Sequence, residues 1–428
     1  MQPYGQAIPS KLKQDQVTFG RILRKYIERG MRLPCTVGAG FAPRRRFRKL
    51  CRCSNLSLMP RQSEDREKIV ALRRRLLDWY ASNRRDLPWR RSTDPYAIWV
   101  SETMLQQTRV AVVVDRYQVF LARFRTLLSL ALAPEQEVLA LWSGLGYYRR
   151  ARMLHKAAKF VAENLGGNLP GRAEQLQDLP GIGAYTAAAV ASIAYGERIA
   201  VVDGNVERVL CRVAGWEAGS RKGGGAALRR KITNLANRLL DPANPGDFNQ
   251  AVMELGATVC TPRNPQCLIC PLNIDCKTRG EHKTPRRAPM ISRIVAHALS
   301  VRTAHTPGKH QGQGAREVLL EQRSPEQTVM PGLWELPKLR DADVPEQSLR
   351  MTVRHAIMQT NYYVRIRTVF EDDVDAMTLP AGERCWVSLQ AAAAMALTGL
   401  TRKVLMRAHL LPSAPLDTIA PQPGETVR

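Results

Sequence analysis

The chain has 428 residues, 44% of them hydrophobic, which is enough for two or three domains with packed cores. It carries 64 Lys and Arg against 38 Asp and Glu, and this net charge of +26 predicts a polyanionic partner: nucleic acid first, an anionic membrane surface second. Residues 1–289 hold 48 basic against 24 acidic residues, whereas residues 290–428 hold 16 against 14. No apolar run could span a bilayer and no signal peptide is evident, which argues against a membrane or secreted protein and predicts a soluble, intracellular one.

The first segment, residues 1–63, is rich in Arg, poor in acidic residues and only weakly periodic. This composition predicts a basic, disordered extension. An organelle-targeting leader, or a true start of translation at Met59, are the alternatives.

The next segment, residues 64–280, is predicted to be all-α. Ile69, Leu72, Leu76 and Tyr80 recur at helical spacing, which predicts a helix over residues 64–83. Similar patterns predict helices over 97–114, 116–131, 135–143, 150–165, from about 186, after Asp203, and over 224–240 and 247–258.

After a polar linker at 281–292 the pattern changes to short β-branched runs. These runs predict strands near 294–299, 318–321 and 362–366, and helices follow at 391–397 and 400–411. We therefore expect a second, α+β domain over residues 293–412, and a disordered Pro-rich tail over 413–428.

A short glycine-containing turn, Leu179–Thr186, is the first candidate binding element. Gly181 and Gly183 permit a tight hairpin, and the helix that opens there would present free N–H groups to an anion. A plain helix-to-helix turn is the alternative.

Four cysteines form the second candidate. They lie within 17 residues and are spaced C-x6-C-x2-C-x5-C: Cys260, Cys267, Cys270 and Cys276. Thiolates this close suit a tetrahedral zinc ion or a [4Fe–4S] cluster, and the spacing does not separate the two. A pair of disulfides is a poorer alternative.

Two carboxylates form the third candidate. Glu102 has mostly apolar neighbours at helical spacing, so it is either paired or carries a raised pKa, unless it is an ordinary surface residue. Asp203 precedes a predicted helix, where a simple N-cap is the alternative. A protonated Glu beside an ionised Asp is the combination that acid-assisted glycosidic cleavage requires.

Taken together, these segments resemble the helix–hairpin–helix superfamily of DNA glycosylases and, within it, the MutY family of adenine DNA glycosylases. The hairpin Leu179–Thr186, the Val202–Asn205 element and the four cysteines carry the superfamily resemblance. The segment Trp99–Thr108 is similar to the one peculiar to the adenine-specific branch. The likeness is strong over residues 65–280 and looser over 290–411.

The resemblance implies a mainly α fold. A six-helix barrel domain over about residues 90–200 would contain the hairpin and pack on a cluster domain, built from the early helix and the segment after Asp203. The four cysteines would bind [4Fe–4S]. An α+β MutT/Nudix-like domain would follow.

The resemblance also implies a partner, double-stranded DNA with adenine opposite 8-oxoguanine or guanine, and a monomeric enzyme that flips the adenine out. Glu102 would protonate adenine N7, Asp203 would stabilise the sugar cation, and Asn205 and Tyr185 would position both. The resemblance implies four groups of DNA contacts. Arg85, Trp89 and Gln250 would line the adenine pocket, and Gln107 and Tyr147 would wedge into the duplex. Gln106 and Thr108, with Leu105 adjoining them, would lie beside the estranged base, and the amides of Gly181 and Gly183 would bind a phosphate.

Tyr185 distinguishes two reaction types within this superfamily. Relatives that also cut the strand carry at this place a Lys, whose amine forms a Schiff base, and Tyr cannot form one. The resemblance therefore implies a monofunctional glycosylase that leaves an abasic site.

In the C-terminal part, Val318–Arg323 and Met330–Pro337 resemble the MutT-like domain with which the family recognises 8-oxoguanine. The Arg-Glu…Glu-Glu run of a working Nudix hydrolase does not follow Pro337, which implies binding without hydrolysis. The family's Phe-Ser-His loop aligns with His355–Thr360, where the Ser and His are missing from Ile357-Met358-Gln359. Either Gln359 or Thr360 substitutes for them, or discrimination against guanine is weaker.

Three rival functions are weighed against this one. An endonuclease III-like glycosylase of oxidised pyrimidines is disfavoured by Tyr185, by Gln106-Gln107 and by the extra domain. A catalytically silent, cluster-containing DNA-binding protein would need neither Glu102 nor Asp203, and a zinc-binding structural protein is the third rival. We expect a bacterial, cytoplasmic, nucleoid-associated enzyme.

Overall fold

The computed structural model describes residues 59–217, 225–282, 289–304, 315–342, 344–357, 359–379 and 382–412. The predicted basic extension as far as residue 58, residues 283–288 of the linker, Met358 and the predicted tail from residue 413 lie outside these ranges. The chain divides into two units, residues 1–64 and 65–428, and the described part of the first is the start of one helix.

Helices make up the described chain as far as residue 282. Helix α1 spans Met59–Asn83 and so begins five residues before the predicted start, with Pro60 in its first turn, where a proline costs no hydrogen bond. The following helices are α2 Pro95–Leu105, α3 Val110–Arg123, α4 Leu127–Leu132, α5 Glu135–Leu141, α6 Arg149–Asn164, α7 Ala173–Gln177, α8 Ala184–Tyr195, α9 Gly204–Ala214, α10 Gly225–Leu239 and α11 Pro245–Thr258.

Two of the predicted helices are wrong in their extent. The predicted helix over 97–114 is broken, because the chain leaves α2 after Leu105 and Gln107 adopts a left-handed φ of 57°. The predicted helix over 116–131 is broken at residues 124–126, where the Thr126 and Ser129 side chains form a capping box that starts α4. The short helix α7 was not predicted.

The described helices pack around two main hydrophobic cores. Helices α2–α8 enclose the first, whose largest fully buried side chains include Trp99, Trp142, Phe120 and Phe124. Helix α1 packs with α9–α11 around the second, through Leu76 of α1 among others. The second core therefore joins the early helix to the segment after Asp203.

The described residues from 289 onward form an α+β region, as predicted. Its strands are β1 Ile291–Leu299, β2 Val301–Thr303, β3 Arg316–Gln322, β4 Trp334–Glu335, β5 Leu349–Ile357, β6 Thr360–Thr368 and β7 Arg384–Ser388. One sheet has the order β1-β6-β5, with β1 parallel to β6, and in the other β3 pairs antiparallel with β2, β4 and β7. Strands β2, β4, β5 and β7 were not predicted.

Three further helices lie in this region: α12 Val374–Met377, α13 Leu389–Ala394 and α14 Gly399–Arg407. The predicted helix over 391–397 ends early because Leu397 pairs with Trp334 as a β-bridge. Within the described part of the chain, no helix combines the length and apolar composition needed to cross a bilayer.

The α+β region lies directly against the loop that joins α5 to α6. The Tyr148 hydroxyl donates to the carbonyl of Leu397 at 3.0 Å, and Arg402 Nε donates to Ser143 Oγ at 2.8 Å. Leu333, from the α+β region, is fully buried in the first helical core. The α+β region therefore holds the Ser143–Tyr148 loop in place through these contacts.

Candidate active site

Glu102 lies on α2, a helix whose N-cap Asp94 accepts from the backbone N–H groups of Tyr96 and Ala97. The carboxyl is buried, with the residue only 6% exposed. Burial, and to a smaller extent the negative charge of Asp203, raise the pKa of Glu102 to about 7 against the opposing effects of the Tyr185 hydrogen bond and of Arg90. The surface alternative for Glu102 is therefore wrong, and its carboxyl keeps its proton to a higher pH than an ordinary Glu does.

Tyr185, in the first turn of α8, reaches this carboxyl. Its hydroxyl donates to Glu102 Oε2 at 2.6 Å and lies 3.6 Å from the sulfur of Met253. Burial, followed by the charge of Glu102, raises the pKa of the Tyr185 phenol well above its usual value. Tyr185 therefore stays a hydrogen-bond donor and holds the Glu102 side chain in place.

Asp203 is the N-cap of α9, so the capping reading is confirmed. Its Oδ1 accepts from the Val206 backbone N–H at 2.7 Å, and its Oδ2 accepts from the Asn205 amide at 2.8 Å. Because Asp203 raises the pKa of Glu102, the two carboxyls act on one another within one site.

Arg208 connects this carboxylate to the cysteine loop, and the sequence reasoning missed it. Its Nη2 donates to Asn205 Oδ1 at 2.8 Å and its Nε donates to the carbonyl of Cys260 at 2.8 Å. Arg208 follows Asn205 by three residues, so helical spacing was the signal that could have found the first of these contacts.

A second buried carboxylate, Glu254 on α11, was also missed. Arg85 Nη2 donates to Glu254 Oε2 at 2.7 Å, and Arg90 Nη2 donates to the same atom at 2.8 Å. Burial alone would raise the pKa of Glu254, but hydrogen bonds from Arg85 and Arg90 lower it to about 2. Gln250 is half-buried one helical turn earlier.

The duplex-contacting residues expected from the resemblance are gathered only in part. Gln106, Gln107, Tyr147 and Gly181 line one cavity of about 450 Å³, together with Trp99, Thr103, Arg149, Arg150, Met153, Leu154 and Pro180. By contrast, Trp89 packs in the first core, with its ring 5.6 Å from that of Tyr117, and Leu105 packs against the same core.

Two of the residues that line this cavity have strained backbones. Gln107 and Tyr147 take φ values of 57° and 47°, which side chains other than glycine rarely adopt. Tyr147 is also 51% exposed, although it is aromatic. Gln106 donates to Thr186 Oγ1 at 3.1 Å, and Thr108 Oγ1 donates to the carbonyl of Leu145 at 3.3 Å.

The hairpin requires glycine at one of its two positions. Gly181 has a φ of 76°, and a Cβ there would lie 2.4 Å from the Met153 Cβ. Gly183 is the N-cap of α8 with ordinary extended angles, and a Cβ there would meet nothing within 4 Å. The turn therefore tolerates a side chain at 183 and excludes one at 181.

The four cysteines of the predicted cluster line one small cavity of about 20 Å³, together with Arg212 and Arg279. Arg212 Nη1 donates to Cys260 Sγ at 3.3 Å, and the Arg279 backbone N–H donates to Cys276 Sγ at 3.5 Å. Within the described ranges, no three His, Cys, Asp or Glu side chains are grouped closely enough to hold a single metal ion.

The stretch His355–Thr360 spans the end of β5 and the start of β6, which pair antiparallel from Ile357 and Thr360 onward. His355 is half-buried, and burial lowers its pKa. The described residues of the predicted recognition loop therefore lie where the paired ends of β5 and β6 meet.

Comparison with known proteins identifies similar sequences over the helical part of the chain. Residues 100–233 match the model of the HhH-GPD superfamily of base excision DNA repair proteins. The chain is 50% identical to the human adenine DNA glycosylase over 224 residues, which cover 50% of this chain and 40% of the human protein.

The mouse adenine DNA glycosylase is 41% identical over 317 residues, covering 63% of this chain and 61% of that protein. The solved structure of a thermostable thymine-DNA glycosylase is 30% identical, with a TM-score of 0.46 over 50% of this chain and 98% of that one. This chain thus spans between about 40% and 61% of its first curated relatives.

Proposed function

We propose that this protein is a DNA glycosylase that removes adenine mispaired with 8-oxoguanine or guanine. The observation that carries the proposal is the grouping of the buried Glu102 with the half-buried Tyr185 and Asp203: Tyr185 donates to the Glu102 carboxyl, and Asp203 acts on it electrostatically. The relatives named adenine DNA glycosylase and the basic charge of residues 1–289 support it.

In the proposed reaction, the protonated Glu102 donates its proton to adenine N7, so that the base leaves as a neutral molecule. The C1′–N9 bond breaks, and its electron pair goes to the departing base. The carboxylate of Asp203 stabilises the resulting sugar cation. Water then adds to C1′ and loses its proton to the ionised Glu102, which leaves an abasic site and restores the acid. Glu102 suits the first step because a general acid works best with a pKa near the working pH.

Tyr185 makes the proposed enzyme monofunctional. A phenol that donates to Glu102 cannot form the imine that strand cleavage by a lysine requires. We therefore expect little lyase activity.

Double-stranded DNA is the proposed partner, with the protein acting as a monomer. The cavity bounded by Gln107 and Tyr147 would receive the opened duplex, and the hairpin at Gly181 and Gly183 would bind a phosphate through its amides. Arg85, Trp89 and Gln250 would lie on the adenine side, with Leu105, Gln106 and Thr108 beside the estranged base.

Cys260, Cys267, Cys270 and Cys276 would hold a [4Fe–4S] cluster in the proposed enzyme. Their donor set fits: all four thiols line one cavity, and N–H groups of Arg212 and Arg279 donate to two of the sulfurs, as suits an anionic group. When bound, the cluster would hold the Cys260–Cys276 loop in shape, together with the basic residues Arg263, Lys277 and Arg279 around it.

The domain limits are proposed as predicted: a catalytic region over 64–280 and a MutT/Nudix-like domain over 293–412 that recognises 8-oxoguanine without hydrolysis. The contacts of this region with the Ser143–Tyr148 loop support a shared DNA site. The lack of Ser and His at Ile357-Met358-Gln359 leaves Gln359 or Thr360 as the polar groups.

Single-turnover cleavage of duplexes carrying A:8-oxoguanine, A:G, A:T or thymine glycol:A tests the proposal. We expect release of adenine from the first two, with Glu102→Gln and Asp203→Asn each slowing it by roughly 10²–10⁴-fold while binding persists. Cleavage of thymine glycol would instead indicate an endonuclease III-like enzyme. Binding without any cleavage would indicate a silent DNA-binding protein.

A further inference from the structure

Arg150, at the start of α6, donates hydrogen bonds to two segments of the chain. Its Nη1 donates to backbone carbonyls of the Thr103–Gln106 segment, at 3.0 Å for Thr103 and 2.9 Å for Met104. Its Nη2 donates at 3.0–3.1 Å to Thr108 Oγ1 and to the carbonyls of Leu145 and Gly146.

These acceptors belong to two separate segments of the cavity wall. Thr103 and Met104 immediately follow Glu102 at the C-terminal end of α2, where helix carbonyls have no partner within the helix. Leu145 and Gly146 belong to the loop that presents Tyr147. One planar guanidinium therefore joins the helix of the proposed catalytic acid to the loop proposed to enter the duplex.

Burial and aromatic rings hold the guanidinium in this position. Its central carbon lies 5.6 Å from the centre of the Trp142 ring and 5.5 Å from that of Tyr147. Burial lowers the pKa of Arg150 to about 10. No carboxylate among the described residues pairs with it, so the backbone carbonyls and the negative end of the α2 dipole stabilise its charge.

We infer that Arg150 is a positioning residue. Through Arg150, insertion of the Tyr147 loop into DNA determines where Glu102 lies relative to the adenine. The inference rests on the proposed function. When the loop moves against the duplex, the shared guanidinium moves the end of α2 with it. The α+β region contacts the same loop through Tyr148 and Ser143. DNA contacts made by the α+β region would therefore also affect the position of Glu102 through Arg150.

Only arginine can have this role. Its fork presents parallel N–H groups in one plane, whereas the lysine ammonium is a compact charge that would reach one of the two segments at a time. Arg150→Lys therefore keeps the charge and loses the connection.

The test is single-turnover adenine release by Arg150→Lys at saturating enzyme, with duplex affinity measured separately. We expect the rate constant to fall by roughly 10²-fold, the scale of a misplaced catalytic group, while the Kd changes less than about threefold. Arg73→Lys is the matched control, because Arg73 likewise donates to terminal helix carbonyls, those of Arg238 and Leu239, and lines no part of the cavity. It should cleave at the parental rate.

A second variant distinguishes the loss of the guanidinium contacts from a general loss of folding. In Arg150→Ala, added ethylguanidinium should restore part of the rate, whereas ethylammonium at the same ionic strength should not. A parental rate in Arg150→Lys, or equal rescue by both cations, would overturn the inference.

A parent protein that releases no adenine would refute the proposed function alone. The positioning role would then be judged by the pKa of Glu102, read from the pH dependence of unfolding with and without Glu102→Gln. Arg150→Lys should move that pKa toward its ordinary value, and an unchanged pKa would overturn the inference.

Discussion

Replacing Glu102 by Gln should stabilise the protein above neutral pH while slowing its proposed activity by roughly 10²–10⁴-fold. The native pKa of this carboxyl is about 7, against an ordinary value of 4.5. A raised native pKa means that the folded state binds the proton more tightly, so stability is full below pH 4.5 and falls as pH rises through 7. At about 1.4 kcal/mol per pKa unit, the ionised carboxylate costs on the order of 3 kcal/mol at pH 8.

Gln has nearly the same shape, and its oxygen can still accept from the Tyr185 hydroxyl, but it cannot ionise. Any packing cost of the amide is independent of pH. The free energy of unfolding of Glu102→Gln relative to the parent should therefore rise by on the order of 3 kcal/mol between pH 4.5 and pH 8.

Urea unfolding at pH 5, 6, 7 and 8, followed by tryptophan fluorescence, measures this difference, because Trp99 and Trp142 are fully buried in the same core as α2. Glu254→Gln is the matched control, since hydrogen bonds from two arginines outweigh burial and lower its pKa to about 2. It should destabilise the protein by about 3–5 kcal/mol near pH 7, an effect that fades as pH falls from 4.5 toward 2.

A difference between Glu102→Gln and the parent that stays constant from pH 4.5 to 8 would refute a raised pKa at Glu102. The proton-donor role proposed for this residue would then lose its physical basis.

Further predictions concern the same site and its surroundings. Gly181→Ala should cost roughly 2–4 kcal/mol of stability, because it combines a left-handed backbone with a Cβ only 2.4 Å from that of Met153, whereas Gly183→Ala should unfold like the parent in the same urea experiment. Tyr185→Phe removes a hydrogen bond that lowers the pKa of Glu102, so the alkaline limb of the rate–pH profile should move to higher pH; an unmoved limb would contradict this. Borohydride should trap little covalent adduct with the parent, and a strong adduct would refute a monofunctional mechanism. Purified protein should show the broad visible absorption of an iron–sulfur cluster, and a colourless, zinc-loaded protein would contradict that cofactor.

The sequence alone was enough where the decisive residues are close together in the chain. The glycine hairpin at 181–183, the cap at Asp203 and the cysteine spacing are local patterns, and each is recognisable because turns, caps and metal loops use residues a few positions apart. The all-α and α+β halves followed from hydrophobic periodicity for the same reason. The apolar neighbours of Glu102 predicted a paired carboxyl or a raised pKa, and the buried Glu102 has both a hydrogen bond from Tyr185 and a raised pKa.

Tertiary structure decided what depends on residues far apart in the chain. Arg150 reaches carbonyls more than 40 residues before it, and Arg85 and Arg90 meet Glu254 more than 160 residues later. No local pattern indicates which buried carboxylate acquires a cation and which does not. That difference lowers the pKa of Glu254 to about 2 and leaves that of Glu102 near 7, because a buried charge is stabilised only by the partners that the fold brings to it.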